Sequence, residues 1–314
     1  MEIIKGLESL KKPYPDTVLT IGNFDGVHIG HQKILSGVVH EADRLRGTPM
    51  VVTFNPHPMK VLAPEKELRI LTSFGEKAKL IAENGIKAML CITFTKQFAG
   101  LLPDEFIEDV LVKKLGAKEI IVGSHYAFGK NKKGNISLLR RRGKKYGFSV
   151  RVIRNTRLHG DVVSSSRIRN LLSKGDVREI SCLLGRAYSI SGKVIRGKGR
   201  GASILNIPTA NISPPVEISP REGVYAVRIA LGKRVLDGVA NIGKNPTFGN
   251  DAISYEVHVF NYAGNLLDRE IRIFFVDMLR GERRFPDIRS LVKQIHEDIA
   301  TAKKILSRHH PALL

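Results

Sequence analysis

His28 and His31 close the run Gly22-Asn23-Phe24-Asp25-Gly26-Val27-His28-Ile29-Gly30-His31, between an apolar strand-like segment, Thr17 to Ile21, and a helix-like one from about Ile29 to Arg46. Glycine lets a backbone approach a phosphate closely, and a helix start offers unpaired N–H groups and the positive end of the dipole. Residues three apart on the first turn are neighbours, so both imidazoles can address one anion. Such turns also occur without ligands, and a histidine in one is often a plain surface donor. The H-x-x-H spacing suits zinc as well, but no third ligand follows at a suitable spacing.

The elements that must carry these residues alternate. Met50 to Phe54 reads as a strand. Ser73 with Glu76 makes a capping-box start for a helix running to Asn84, stopped by Gly85. Lys87 to Thr93 is strand, Pro103 and Gly116 bracket a helix, and Lys118 to Val122 is strand again. This α/β order predicts a mostly parallel sheet covered by helices. Ser164 to Ser166 can cap a helix that stops at Gly175, and Asp176 with Glu179 starts a short one ending near Gly185. From Tyr188 the grammar changes to successive strands: Ile190 to Ile195, Gly223 to Ala230, Val235 to Ile242, Ser254 to Phe260 and Ile271 to Val276. That pattern predicts a small antiparallel β-barrel, with a terminal helix from about Pro286 to Ser307. The expected domains are therefore 1–185 and 186–314.

Length and composition agree with two domains, since 314 residues exceed the size at which one core usually stops growing. Hydrophobic residues at 42% and charged residues at 26% are ordinary globular usage. The start lacks a basic segment followed by an apolar one and no run approaches a membrane span, so a cytoplasmic protein with no membrane partner is expected. Cys91 and Cys182 fit no metal or redox spacing. The net charge of +21 is local: residues 118–169 hold 14 Lys and Arg against Glu119 and Asp161 only. Nucleic acid, an acidic membrane surface or small polyanions are all compatible with it.

Gly22 to His31 resembles the nucleotidyltransferase signature H-x-G-H in its longer form G-x-F-D-G-x-H-x-G-H. That form is similar to the prokaryotic bifunctional riboflavin kinase and FAD synthetase family. Thr53-Phe54-Asn55-Pro56-His57-Pro58, Val122-Gly123-Ser124-His125-Tyr126-Ala127-Phe128-Gly129 and Val163-Ser164-Ser165-Ser166-Arg167-Ile168-Arg169 follow in the family's order. The resemblance implies a Rossmann-like nucleotidyltransferase domain that joins FMN to ATP, giving FAD and pyrophosphate. In it His28 and His31 hold the ATP phosphates, with Gly22, Asn23, Phe24 and Gly30 around them and Ser164, Ser165 and Arg167 opposite. His125, Tyr126 and Phe128 fall in the stretch expected to meet the flavin. His125 stands where the family usually has Asp or Asn, and Tyr126 where it has Phe.

Beyond Gly185, Gly197-Lys198-Gly199-Arg200-Gly201 and Pro208-Thr209-Ala210-Asn211 resemble the riboflavin kinase G-x-G-R-G and P-T-A-N motifs. The resemblance implies that Gly199, Arg200, Gly201 and Thr209 meet ATP phosphates, and that Thr209 and Asn211 offer neutral oxygens to Mg²⁺, a hard cation. Gly238 to Gly243, Asn245 to Phe248, then Glu256 and His258 continue the match. Glu256 occupies the general-base position, although by its neighbours alone it reads as an outward-facing strand residue. Leu279-Arg280-Gly281-Glu282-Arg283-Arg284-Phe285 is similar to a flavin-proximal segment, which implicates Arg280 and Phe285. Asn206 replaces a usual glycine, and Leu267-Asp268 a Tyr-Gly pair. The expected partners are riboflavin, FMN, FAD and ATP, with no specific nucleic acid. The alternatives are a chain with one working activity, a nucleotidyltransferase for another phosphorylated acceptor, or a basic nucleic-acid-binding protein.

Overall fold

The computed structural model describes residues 1–196, 209–214, 217–244 and 253–308. The chain divides into two compact units, Met1–Ser165 and Ser166–Leu314. In the first, strands β1 (Glu2–Lys5), β2 (Thr17–Ile21), β3 (Pro49–Asn55), β4 (Ala88–Thr93), β5 (Ala117–Gly123) and β6 (Ser149–Ile153) form one sheet. Its order is β1-β4-β3-β2-β5-β6, and every pair is parallel.

Helices α1 (Ile29–Leu45), α2 (Phe74–Glu83) and α3 (Ile136–Tyr146) cover the sheet on both faces, so its central strands are mostly apolar and almost wholly buried. Alternate residues feed opposite cores. Val18, Val51 and Met89 pack with Leu35, Val38 and Ile81 on one face. Leu19, Val52 and Leu90 pack with Ile107, Leu111 and Leu139 on the other. The helix expected from Pro103 to Gly116 begins as Pro103–Glu105 but continues as a π-helix, Phe106–Lys114. Its buried residues Phe106, Ile107, Val110, Leu111 and Leu115 recur every four to five positions. That spacing fits the wider turn.

The second unit begins with α4 (Ser165–Lys174) and α5 (Val177–Leu184). A closed antiparallel barrel follows: β7 (Tyr188–Ile195), β8 (Ala210–Ser213), β9 (Gly223–Leu231), β10 (Arg234–Lys244), β11 (Ile253–Val259) and β12 (Glu270–Gly281), in the order β7-β8-β11-β10-β9-β12. Tyr225 meets Phe275 edge-on inside it, centroids 5.3 Å apart. The terminal helix α6 (Ile288–Arg308) lays Ala302 and Leu306 on Ala226 and Val239 of the barrel's outer face.

The units divide at Ser165/Ser166, earlier than the change of sequence pattern near Gly185. The reason is packing: α5 rests on β7 and β12, and the carbonyl of Leu172 in α4 accepts the N–H of Arg221 at 2.9 Å. A fragment of residues 166–314 should therefore fold alone and be more stable than one beginning at Gly185. The shorter fragment loses Val177, Ile180, Leu183 and Leu184, all at most 3% exposed. After the ordering entropy of two helices is set against that burial, the difference should be at least ~2 kcal/mol in urea unfolding. Equal stabilities would show that α4 and α5 add nothing to the barrel.

Candidate active sites

The first sheet reverses direction at β2, with β3 and β4 on one side and β5 and β6 on the other. In parallel sheets, ligands bind at such reversals, beyond the carboxyl ends of the strands. A cavity of about 240 Å³ opens there. Thr20, Ile21, Gly22 and Phe24 line it from β2, Gly123, His125 and Tyr126 from β5, and Ile153, Arg154, Asn155 and Thr156 from β6. His28, Gly30 and His31 close it at the head of α1.

The loop from β2 to α1 is tightly wound, with φ positive at Phe24 (50°), Gly26 (84°) and Val27 (40°). Asp25 anchors it. Only 4% exposed, its carboxylate accepts from the N–H groups of Leu71 (3.0 Å) and Thr72 (3.2 Å) and from the Thr72 hydroxyl (3.4 Å). The Thr72 oxygen accepts from the Gly26 N–H at 3.1 Å. Lys77, buried on α2, donates to the Asn23 carbonyl (3.3 Å) and to the Thr53 hydroxyl (3.2 Å). Burial pulls its ammonium below the usual lysine range.

His28 caps α1 by accepting the His31 N–H on Nδ1 at 3.2 Å, so a neutral His28 carries its proton on Nε2. The two rings stack with centroids 3.6 Å apart, and Phe24 meets His31 edge-on at 5.1 Å. Burial foremost, then the charges of His28 and Lys77, hold His31 well below the usual histidine pKa. Among the described residues, three buried side-chain polar atoms make no hydrogen bond: Nδ1 of His31 and the hydroxyls of Tyr126 and Thr156. All three residues line this cavity.

The barrel carries a second cluster on its outer face. Strand register sets Asn211 of β8 beside Glu256 of β11, Glu256 beside Asn241 of β10, Asn241 beside Val224 of β9, and Val224 beside Arg280 of β12. Laterally paired residues project to one face, so five strands contribute to a single row. Burial pushes the Glu256 carboxyl above the usual range. Arg280 makes a forked ion pair with Asp298 of α6, at 3.0 Å from Nε and 2.9 Å from an Nη, and lies over the Phe285 ring, 5.6 Å from its centroid.

The family models of FAD synthetase and riboflavin kinase match residues 10–167 and 184–306. A bifunctional riboflavin kinase/FMN adenylyltransferase of Escherichia coli K12 is 37% identical, covering 99% of this chain and 100% of its own. This chain belongs to that bifunctional family. A relative of the same description in Pseudomonas fluorescens is 35% identical over 97% of this chain and 98% of its own. A solved Streptococcus pneumoniae structure, described as a macrolide-efflux protein, aligns with TM-score 0.88 and 27% identity over 96% of this chain and 99% of its own. Among the described residues of the present chain, no helix is long and apolar enough to cross a membrane.

Of the residues singled out from sequence, Gly22, Phe24, His28, Gly30, His31, His125 and Tyr126 all line the cavity of this family member. Asn23 stands behind it on Lys77, and Phe128 lies in the core, stacked on Tyr126 with centroids 5.5 Å apart. Ser165 donates to the Asp25 carbonyl at 2.8 Å, and Ser164 precedes it. Arg167, in the second unit, pairs with Glu179 at 2.7 Å. Asn211, Glu256 and Arg280 share the barrel row, and Thr209 sits exposed two residues before Asn211. Gly199, Arg200, Gly201 and the Asn206 departure lie outside the described residues.

Sequence reasoning missed Lys77, Arg154, Asn155, Thr156 and Asp298. The middle three follow β6, whose half-exposed residues did not read as a strand. His125 departs from the family pattern, and Asn155 shows how the change is accommodated. Its amide donates to His125 Nδ1 at 3.1 Å and its oxygen accepts from Ser124 Oγ at 2.9 Å. Asp25→Asn places an amide against the N–H donors of Leu71 and Thr72, so the unfolding transition of the first unit should lose about 1.5–3 kcal/mol. An unchanged transition would show that these bonds do not hold the loop.

Proposed function

We propose that this chain makes FAD from riboflavin in two ATP-dependent steps, adenylyl transfer at the head of α1 and phosphorylation on the outer face of the barrel. The observation that carries this reading is that the two family matches fall almost wholly on separate compact units, each with its own cluster of polar groups. The same separation supports a division of labour between residues 1–185 and 186–314.

For adenylyl transfer, an FMN phosphate oxygen attacks the α-phosphorus of ATP and pyrophosphate leaves. The nucleophile is already an anion, so positioning and charge stabilisation suffice. His28, His31 and the N–H groups around Gly30 receive the phosphates, with Ser164, Ser165 and Arg167 contributing. His125 and Tyr126 meet the flavin, with Phe128 backing the tyrosine.

For phosphorylation, the ribityl hydroxyl of riboflavin must lose a proton as it attacks the γ-phosphorus, and Glu256 accepts it. A raised pKa makes that carboxylate a stronger base once ionised. Arg280 and Phe285 border the flavin, and Gly199, Arg200, Gly201 and Thr209 serve ATP. Thr209 and Asn211 suit Mg²⁺, because their oxygens are hard and neutral and Asn211 lies beside a carboxylate. When bound, Mg²⁺ neutralises phosphate charge.

The basic segment 118–169 serves polyanionic substrates and solubility in the cytoplasm. On α3, Arg140, Arg141, Lys144 and Lys145 are exposed as two i,i+4 pairs on its solvent face, while Arg142 pairs with Asp104 at 2.7 Å.

Two substitutions should dissect the chain reciprocally. Glu256→Gln should slow FMN formation by roughly 10² or more while leaving FAD formation from FMN intact. His31→Ala should slow FAD formation by roughly 10² and spare FMN formation. Chromatography of flavins from each folded variant reads both, and equal loss of both activities from either one would overturn the division. The lowered pKa of His31 adds a second test, since the free protein holds it neutral while a polyphosphate favours its cation. ATP binding should take up protons and tighten as pH falls from neutrality. Titration calorimetry in two buffers of different ionisation heat should find this uptake in the native chain, and His31→Ala should abolish it. Equal uptake in both would contradict the assignment.

A further inference from the structure

Thr156 follows β6 and lines the cavity at the head of α1. Its hydroxyl is buried and makes no hydrogen bond among the described residues. Buried polar atoms in folded proteins are almost always satisfied, so an orphaned hydroxyl on a residue that lines a cavity points to a group that enters it. The backbone of Thr156 is tied down, because its carbonyl accepts the Val163 N–H at 3.0 Å. That bond sets Thr156 next to the chain leading into Ser164 and Ser165. On its other side, Thr156 Cβ is 3.8 Å from the point where a side chain on Gly30 would begin, and the His28 ring is 3.2 Å from the same point. The threonine thus stands against the first turn of α1.

We infer that the Thr156 hydroxyl is a direct ligand of the nucleotide polyphosphate, donating to a phosphate oxygen beside His28 and His31. This rests on the reading that adenylyl transfer occurs in this cavity. The position against Gly30 selects phosphate over flavin, since the helix start supplies donors that only an anion uses well. Valine fills the same space as threonine without the hydroxyl, and serine keeps the hydroxyl without the methyl.

The test uses the full chain as Thr156→Val, Thr156→Ser and His31→Ala, with the unfolding transition of the first unit in each preparation as the folding control. Thr156→Val should weaken the affinity for magnesium pyrophosphate and raise the KM for ATP in FAD formation by about 10-fold. The KM for FMN should stay unchanged, and Thr156→Ser should stay near the native values. Native pyrophosphate affinity in Thr156→Val, equal damage in Thr156→Ser, or a rise confined to the KM for FMN would each overturn the inference. If His31→Ala slows FAD formation while Thr156→Val is silent, only the role of Thr156 falls. If His31→Ala also leaves FAD formation intact, the placement of the site falls with it.

Discussion

Between β2 and α1 the chain holds three left-handed positions within four residues, two of them bearing side chains. Phe24 and Val27 would not hold positive φ unaided. The anchor is a buried charge: Asp25 gathers donors from Leu71, Thr72 and the Thr72 hydroxyl, and the loop's own Gly26 N–H closes the circuit. Lys77 braces the other end through the Asn23 carbonyl. The stacked histidines and the cap on α1 depend on where that loop delivers the chain. On the proposed assignment, the aspartate of the loop serves geometry while its histidines serve the ligand.

The barrel solves its positioning problem by register. In β11, Tyr255, Val257 and Val259 are buried, and this alternation sends Glu256 and His258 to the opposite face. A slip of one residue would bury the carboxylate inside the barrel and expose Tyr255. Arg280 joins the row although the pairing of β9 with β12 shifts register between Val224 and Tyr225 and again between Ala226 and Val227. Such irregularities re-aim side chains at strand ends. Asp298 then fixes the guanidinium from α6, which gives the terminal helix a part in the site as well as in the packing.

Much of this was legible in the residues. The runs from Thr17, Met50, Lys87 and Lys118 became adjacent parallel strands because burial on both faces favours their mostly apolar residues. Ser73 and Asp176 cap their helices as their spacing to Glu76 and Glu179 predicts. Strands β1 and β6 were not foreseen, since edge strands are half-exposed and Ser149–Ile153 carries an arginine in its middle. Strand β8 was hidden by Pro208 and Asn211, whose types suggest a turn until the register sets Asn211 beside Glu256. Thr156 was invisible because nothing local marks a threonine as orphaned. Only the fold shows that its hydroxyl has no partner among the described residues.

The contrast between the two sites follows from their nucleophiles. On the proposed assignment both steps draw on ATP, yet among the described residues the cavity at α1 has no carboxylate in its walls. A phosphate nucleophile arrives deprotonated, so a carboxylate there would only repel it. His31 remains neutral for the same economy, since burial beside Lys77 removes its charge until an anion restores it. An alcohol nucleophile arrives with its proton. The barrel accordingly sets a desolvated carboxylate, Glu256, between two neutral amides, Asn211 and Asn241. The other charged member of the row, Arg280, is occupied by Asp298.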